Sequence, residues 1–273
     1  MSQTPTWRPS DEAREPLRRT FDSTAEQYDA ARPDYPQELF DDLVAFAQLE
    51  PGARLLEIGC ATGKATRPLL ARGFRVVCVE LGAELAARAR QNLAGLAAEI
   101  HVAPFETWEG EPEAFDLVYA ATAWHWVDPA VRYRKAHGLL RPGGHLAFWT
   151  ALHAFPAGFD PLFTEIQEVY DAIGESYDEA WPPPPPDEMP DASEEIEASG
   201  LFEEIRVRQC VWEGIYSADE YIALLETFSG HISMDLSKRE QLYREIRARI
   251  GGRTSQQVRR HWYATLHVAR RKP

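Results

Sequence analysis

Between Arg54 and Trp149 the chain alternates short apolar runs with stretches of helical period. Leu55-Leu56-Glu57-Ile58 reads as a first strand. Arg75-Val76-Val77-Cys78-Val79 reads as a second, continuous in its apolar character as a strand buried on both faces should be. Ile100-His101-Val102, Phe115-Asp116-Leu117-Val118-Tyr119 and His145-Leu146-Ala147-Phe148-Trp149 read as three more. Helical periods fall between them. Residues 64–72 carry Pro68 in their early turns and Gly73 placed to end them, and in residues 83–96 Leu85, Ala89, Leu93 and Leu96 share one face. A further helix follows Pro129 and closes at Arg141-Pro142-Gly143-Gly144. Repeated strand, helix, strand means an open parallel sheet with helices on both faces.

After Trp149 the regularity changes. Residues 159–170 are amphipathic, and the five prolines after Trp181 admit only an extended, stiff segment. Residues 192–199 read as a short helix ended by Gly200. Residues 205–211 and 261–270 alternate as strands, the second with Trp262, Ala264, Leu266 and Val268 on one face. Two helical stretches, 218–228 and 238–250, lie between, and the first reads as part of a cap over the sheet.

Composition then narrows the function. The chain has 273 residues, room for one large domain or a core with sizeable insertions. Its net charge of −14 would be repelled by a phosphate backbone or an anionic membrane, so neither nucleic acid nor membrane is an expected partner. The basic run Ala269-Arg270-Arg271-Lys272 reads as a solvated tail. Cys60, Cys78 and Cys210 lack the paired spacing of a disulfide framework or a zinc site, and no metal is expected. Residues 1–7 lack the apolar core of a secretory signal and no run reaches membrane-spanning length, which points to the cytoplasm.

The candidate chemistry starts at Glu57-Ile58-Gly59-Cys60-Ala61-Thr62-Gly63, where the first strand meets the first helix. Parallel sheets bind ligands at the carboxyl ends of their strands, and this crossing is the usual place. Gly59 would let the chain turn sharply, and Gly63 would let the backbone approach a ligand closely. Glu80 ends the second strand, where a carboxylate can accept both hydroxyls of a ribose. The glycine spacing fits neither the dinucleotide pattern Gly-x-Gly-x-x-Gly nor the phosphate loop of nucleotide triphosphatases, since Ala65 follows Lys64.

The loop instead resembles the first motif of the class I S-adenosylmethionine-dependent methyltransferases, Glu/Asp-x-Gly-x-Gly-x-Gly, with Ala61 in place of the middle glycine. The likeness continues through residues 115–128 and Leu140-Arg141-Pro142-Gly143-Gly144. Upstream, Tyr28-Asp29-Ala30-Ala31-Arg32-Pro33-Asp34-Tyr35-Pro36 looks like the N-terminal segment of the type 11-like branch that methylates small molecules. The resemblance implies an α/β fold: a seven-stranded, mostly parallel Rossmann-like sheet with helices on both faces and an antiparallel C-terminal hairpin. It also implies one domain over residues 1–273, with a covering segment at 1–40 and helical cap insertions at 151–190 and 214–251. S-adenosyl-L-methionine would be the cofactor. The loop residues Glu57, Gly59, Cys60, Ala61 and Gly63 would meet it, as would Glu80 and Leu81. Phe105 and Glu106 would flank the adenine, Ala121 would border it, and Tyr28 or Arg32 would lie near the methionine carboxylate. A second reading stays open for Tyr28, Arg32 and Tyr35, as a covering helix whose tyrosines pack on the core. Cys60 reads as a small packing residue rather than a nucleophile.

Methyl transfer from a sulfonium is an in-line displacement that demands alignment and the exclusion of water. A carboxylate acceptor needs no base, whereas a phenol or alcohol gains from one. His125, just past the fourth strand, is the candidate base, or else a residue that caps and packs at the turn. Trp124, Trp126, Tyr35, Trp149 and His231 are the candidates for the acceptor pocket. The cap insertions add Phe155, Phe159, Phe163, Tyr170, Tyr177 and Trp181, and then Tyr216, Tyr221 and Phe228, a lining suited to a small apolar or aromatic acceptor methylated at oxygen, nitrogen or carboxylate. Thr122-Ala123-Trp124-His125 stands where enzymes that methylate nucleic-acid bases carry Asn/Asp-Pro-Pro-Tyr. Two other classes stay open: a nicotinamide-dependent oxidoreductase, and a cofactor-binding protein without catalysis. A monomer or homodimer is expected.

Overall fold

The computed structural model describes residues 21–22, 25–176 and 181–273; Tyr177 and the first twenty positions of the expected covering segment lie outside them. Five parallel strands form the core of the sheet. They are β1 (Arg54–Ile58), β2 (Arg75–Glu80), β3 (Ala98–Val102), β4 (Phe115–Ala121) and β5 (Leu140–Trp149), in the spatial order β3-β2-β1-β4-β5. Because strand side chains alternate, each strand feeds two cores. Leu55, Cys78 and Leu117 pack under α2 (Gln37–Phe46), α3 (Thr66–Ala71) and α4 (Ala83–Asn92). Leu56, Val77 and Val118 pack on the other face, against α5 (Arg132–Leu139) and α7 (Ser193–Ala198).

The antiparallel end of the sheet is longer than the sequence suggested. β7 (Phe202–Ser217) and β8 (Gln257–Arg271) form the C-terminal hairpin, and β8 also runs antiparallel to β5 and then to β6 (Ala151–Ala154). The sheet therefore counts eight strands where seven were expected. The extra strand is a continuation, since β5 and β6 lie along the same edge of β8 in one unbroken register. Thr122 makes the break. Its N–H donates to the Trp149 carbonyl at 2.7 Å, and its hydroxyl accepts from the Ala151 N–H at 3.2 Å.

Beyond β6, α6 (Leu162–Ala172), α8 (Ala218–Leu225) and α10 (Leu236–Gly251) share a third apolar cluster with Trp262 and Val258 of β8. Local signals start two of these helices. Ser217 and Glu220 close a capping box on α8, and Asp235 accepts from the N–H groups of Ser237 and Lys238 to begin α10. The sequence reading missed that second cap and started the helix too late. It also extended α4 too far: the helix stops at Asn92, Gly95 is left-handed, and Leu96 is 44% exposed rather than on the buried face. Arg141-Pro142-Gly143-Gly144 belongs to the start of β5, as a bulge opposite Phe115 and Leu117, and not to the end of α5. The short helices α1 (Ala25–Ala31) and α9 (Ser229–Ser233) complete the set named here.

Trp149, expected in the acceptor pocket, packs its ring in the core and also borders a cavity shared with Trp124 and His125. It is 0% exposed, stacks on Tyr119 at 6.1 Å, and meets Phe40 and Tyr35 edge-on. Trp149→Ala should therefore lower unfolding stability by about 3–5 kcal/mol in urea titrations. A loss of well under 1 kcal/mol would contradict this packing.

Candidate functional site

At the carboxyl ends of β1, β2 and β4 a cleft of about 210 Å³ opens, with a smaller cavity of about 30 Å³ beside it. One buried carboxylate borders each, Glu80 the cleft and Glu57 the smaller cavity. Glu57 ends β1 deep in the sheet, and its Oε2 accepts hydrogen bonds from Thr66 at 2.5 Å and Tyr119 at 2.6 Å. Its Oε1 has no partner. Burial pushes its pKa up to about 7, against the lowering effect of those two bonds, and the neighbouring charge of Glu80 adds to the rise. Glu80 ends β2 and is also raised by burial. Each of its oxygens accepts one backbone N–H at 2.8 Å, from Ala61 and from Gly82.

Those contacts explain the loop. Gly59, Ala61 and Gly63 all have positive φ, at 69°, 48° and 89°. The left-handed region costs an alanine about 1–2 kcal/mol, and the bond from Ala61 to Glu80 holds it there. Gly59 lines the cleft, and a Cβ there would come within 2.7 Å of Ala123. Gly63 borders neither cavity. A Cβ there would press on Leu93 at 3.0 Å, so the absence of a side chain at this glycine leaves room for Leu93 to pack.

The structure brings most of the expected cofactor residues together. Gly59, Ala61, Glu80, Leu81, Phe105, Ala121, Tyr28 and Arg32 line the cleft, and Glu57, Cys60 and Tyr35 border the small cavity. Glu106 does not join them. It accepts from the Asp128 N–H at 3.2 Å, tying two loops together behind the wall. Trp126 lines the cleft as expected, edge-on to Phe21 at 5.5 Å. His231 is displaced from the expected pocket. It bonds Tyr170 at 3.0 Å and Tyr243 at 3.3 Å inside the third cluster, where burial pushes its pKa down to about 4.

A third cavity, about 630 Å³, lies beyond the cleft, with His125, Thr150 and Leu152 bordering both. Trp124, stacked on Phe148 at 5.2 Å, borders only this further cavity. His125 thus stands between the two spaces. Phe228, expected from the second cap insertion, reaches the cleft, whereas sequence reasoning missed Thr122, whose hydroxyl also bonds Tyr35 at 2.9 Å. It also missed Asp22, whose carboxylate accepts from the N–H groups of Glu84 and Leu85 and so caps α4 from outside. No run of residues around Asp22 signals a cap on a helix sixty positions away.

Residues 56–148 match the methyltransferase domain family. An uncharacterised methyltransferase of Mycobacterium tuberculosis is 37% identical over 127 residues, which cover 46% of this chain and 50% of that protein. A ubiquinone biosynthesis O-methyltransferase of Xanthomonas campestris is 33% identical over 122 residues, 43% of this chain and 51% of that one. The chain thus spans about half the length of the curated relatives it matches. Among solved structures, phosphoethanolamine N-methyltransferase 2 of Haemonchus contortus, in complex with S-adenosyl-L-methionine, aligns with a TM-score of 0.55 and 17% identity. That alignment covers 95% of this chain and 60% of that one, a likeness of fold.

Glu57 makes the stability of the fold sensitive to pH. Its pKa is raised from 4.5 to about 7 by folding, so its contribution to stability is complete below 4.5 and is lost as the pH rises through 7. Glu57→Gln should flatten the fall in stability between about pH 5 and about pH 8. Urea midpoints measured across that range check it, and an unchanged slope would show that Glu57 is not the titrating group.

Proposed function

We propose that this chain, whose residues 56–148 carry a methyltransferase domain of the class I S-adenosylmethionine-dependent family, transfers a methyl group to a small apolar or aromatic molecule. The observation that carries the cofactor reading is how the two adjoining cavities differ. The small one is bordered by Glu57, with an oxygen free, and by Arg32, whose Nε and Nη2 bond only the hydroxyl and carbonyl of Thr227. An ammonium and a carboxylate, the two ends of an amino acid, fit those groups. The cleft offers Glu80, whose oxygens each keep a lone pair for a ribose hydroxyl, and apolar walls from Ile58, Leu81 and Phe105 for a base. A pyrophosphate in the same place would face two carboxylates, which disfavours a dinucleotide.

When bound, S-adenosylmethionine supplies an electrophilic methyl group on a cationic sulfur. The residues of the chain have the remaining tasks. Glu57, Glu80 and Arg32 hold and orient the cofactor. Phe21, edge-on to both Tyr28 and Trp126, closes aromatic surface over the cleft and keeps water out. His125, bordering both the cleft and the further cavity, is placed to take the proton of a hydroxyl or amine acceptor. A carboxylate acceptor would leave His125 a packing role. The ubiquinone biosynthesis relative is named as an O-methyltransferase, which supports oxygen over nitrogen as the methylated atom.

Titration with S-adenosylhomocysteine should give micromolar binding, weakened at least about tenfold in Glu80→Ala, with NADH failing to bind. Saturable NADH binding without binding of the homocysteine product would overturn the reading. Once labelled-methyl screening has found an acceptor with an ionisable hydroxyl, His125→Ala should lower kcat by about 10²–10⁴ and leave cofactor affinity unchanged. An unchanged kcat would remove His125 as the base.

A further inference from the structure

We infer that Arg260 anchors an organic anion, so that the methyl acceptor is an aromatic or apolar acid whose carboxylate this guanidinium holds. The inference rests on the methyltransferase reading and adds the class of acceptor to it.

Arg260 lies on β8, 6% exposed, beneath α8 and α9. Its Nη1 donates to the Tyr221 hydroxyl at 3.2 Å, and its Nε has no partner. Among the described residues no carboxylate pairs with it. The other deeply buried arginine, Arg132, is 2% exposed and does have an acid, Glu195. That contrast is sharp in a chain with 43 acidic residues. The guanidinium instead sits 4.2 Å from the ring of Trp262 and 5.4 Å from that of Phe228. A cation–π contact contributes less than taking a charge out of water costs. A neutral hydroxyl and two rings leave that charge uncompensated.

The surroundings repeat the message. Arg32 lies 4.1 Å from the same Phe228 ring, so two guanidinium groups flank one phenyl. His153 is half-buried with its Nε2 fully buried and unpartnered, and its pKa is driven down by desolvation and then by the charge of Arg260. This corner of the molecule gathers cations and their field without an acid to answer them.

Arg260 itself lines none of the three cavities described above, and two aromatic rings connect it to them. Phe228 lines the cleft and Trp262 borders the small cavity, so Arg260 stands one ring behind the cofactor site. Arg32 borders both cavities itself, which leaves the carboxylate of the cofactor to Arg32 and the second cation to a second anion. With Nη1 on Tyr221, the edge of Nε and Nη2 is left over. That edge receives a carboxylate through two parallel hydrogen bonds.

The test uses the full chain loaded with S-adenosylhomocysteine and two matched probe pairs, 4-hydroxybenzoate with 4-hydroxybenzamide and octanoate with octanamide. Calorimetry should show at least one acid binding about tenfold or more tightly than its amide, and Arg260→Met should abolish that preference. The variant should keep its affinity for S-adenosylhomocysteine and for 5′-methylthioadenosine, which lacks the carboxylate. It should also unfold at the same or a higher temperature without ligand, because an uncompensated buried charge has gone. Equal binding or no binding of acid and amide in both pairs overturns the inference, as does a preference that survives in Arg260→Met. Weaker S-adenosylhomocysteine with unchanged 5′-methylthioadenosine would give Arg260 to the cofactor and overturn it too. A lower melting temperature with no change in acid preference would make Arg260 purely structural. If the wild-type chain fails to bind S-adenosylhomocysteine, the cofactor reading is what fails. The acid and amide pairs then report on Arg260 in the unloaded protein.

Discussion

Two carboxylates buried at the carboxyl ends of neighbouring strands constrain everything around them. A carboxylate cannot leave water without hydrogen bonds to replace it. Glu80 finds them in the backbone of Ala61 and Gly82, and in doing so fixes the loop that follows β1. Glu57 finds them in Thr66, at the start of α3, and in Tyr119, on β4. The first strand, its loop, the following helix and the fourth strand are thus locked to two side chains. Ala61 can remain left-handed because the bond it makes there outweighs the strain. One oxygen of Glu57 is still left over, and that deficit faces the cavity where a ligand can meet it.

The walls of the site come from farther away. Thr122 interrupts the β5–β6 edge by claiming Trp149 and Ala151, and it bonds Tyr35 of the N-terminal segment. Arg32 reaches from just beyond α1 to Thr227, just beyond α8, and lies against the rings of both Tyr28 and Phe228. These links join the segment before the sheet and the helices after it into one enclosure. An in-line transfer needs such closure, since its chief demands are alignment and the absence of water.

Much of this was legible from the sequence, and the limit of legibility is physical. Periods of two and of three to four residues report which face of an element is buried, so the five parallel strands, the loop and Glu80 could all be read. Family resemblance put Gly63 and Glu106 in the cofactor site, yet one supports Leu93 and the other ties two loops. Trp149, which does border the third cavity, was expected in the pocket from the end of a strand, and His231 from its place at the end of a cap helix. Their rings are committed to Tyr119 and to Tyr170 and Tyr243. Such commitments are set by partners distant in sequence, and no local window contains them. Asp22 on α4 is the same case.

Charge placement shows what the sequence conceals most. A net charge of −14 describes the surface, where acids are well hydrated, and it says little about the interior. Around the cleft the described residues separate the signs: Glu57 and Glu80 lie at the strand ends, while Arg32 and Arg260 flank Phe228. Each group alone costs folding free energy, and neither sign is positioned to neutralise the other across the cleft. A protein keeps such an arrangement when something else completes it. A zwitterionic tail between Glu57 and Arg32 would satisfy the first pair, and Arg260 would still lack an anion. If that leftover cation meets an anion as proposed, it limits the acceptor more tightly than the apolar lining does, because apolar walls admit many molecules and an unanswered buried charge favours few.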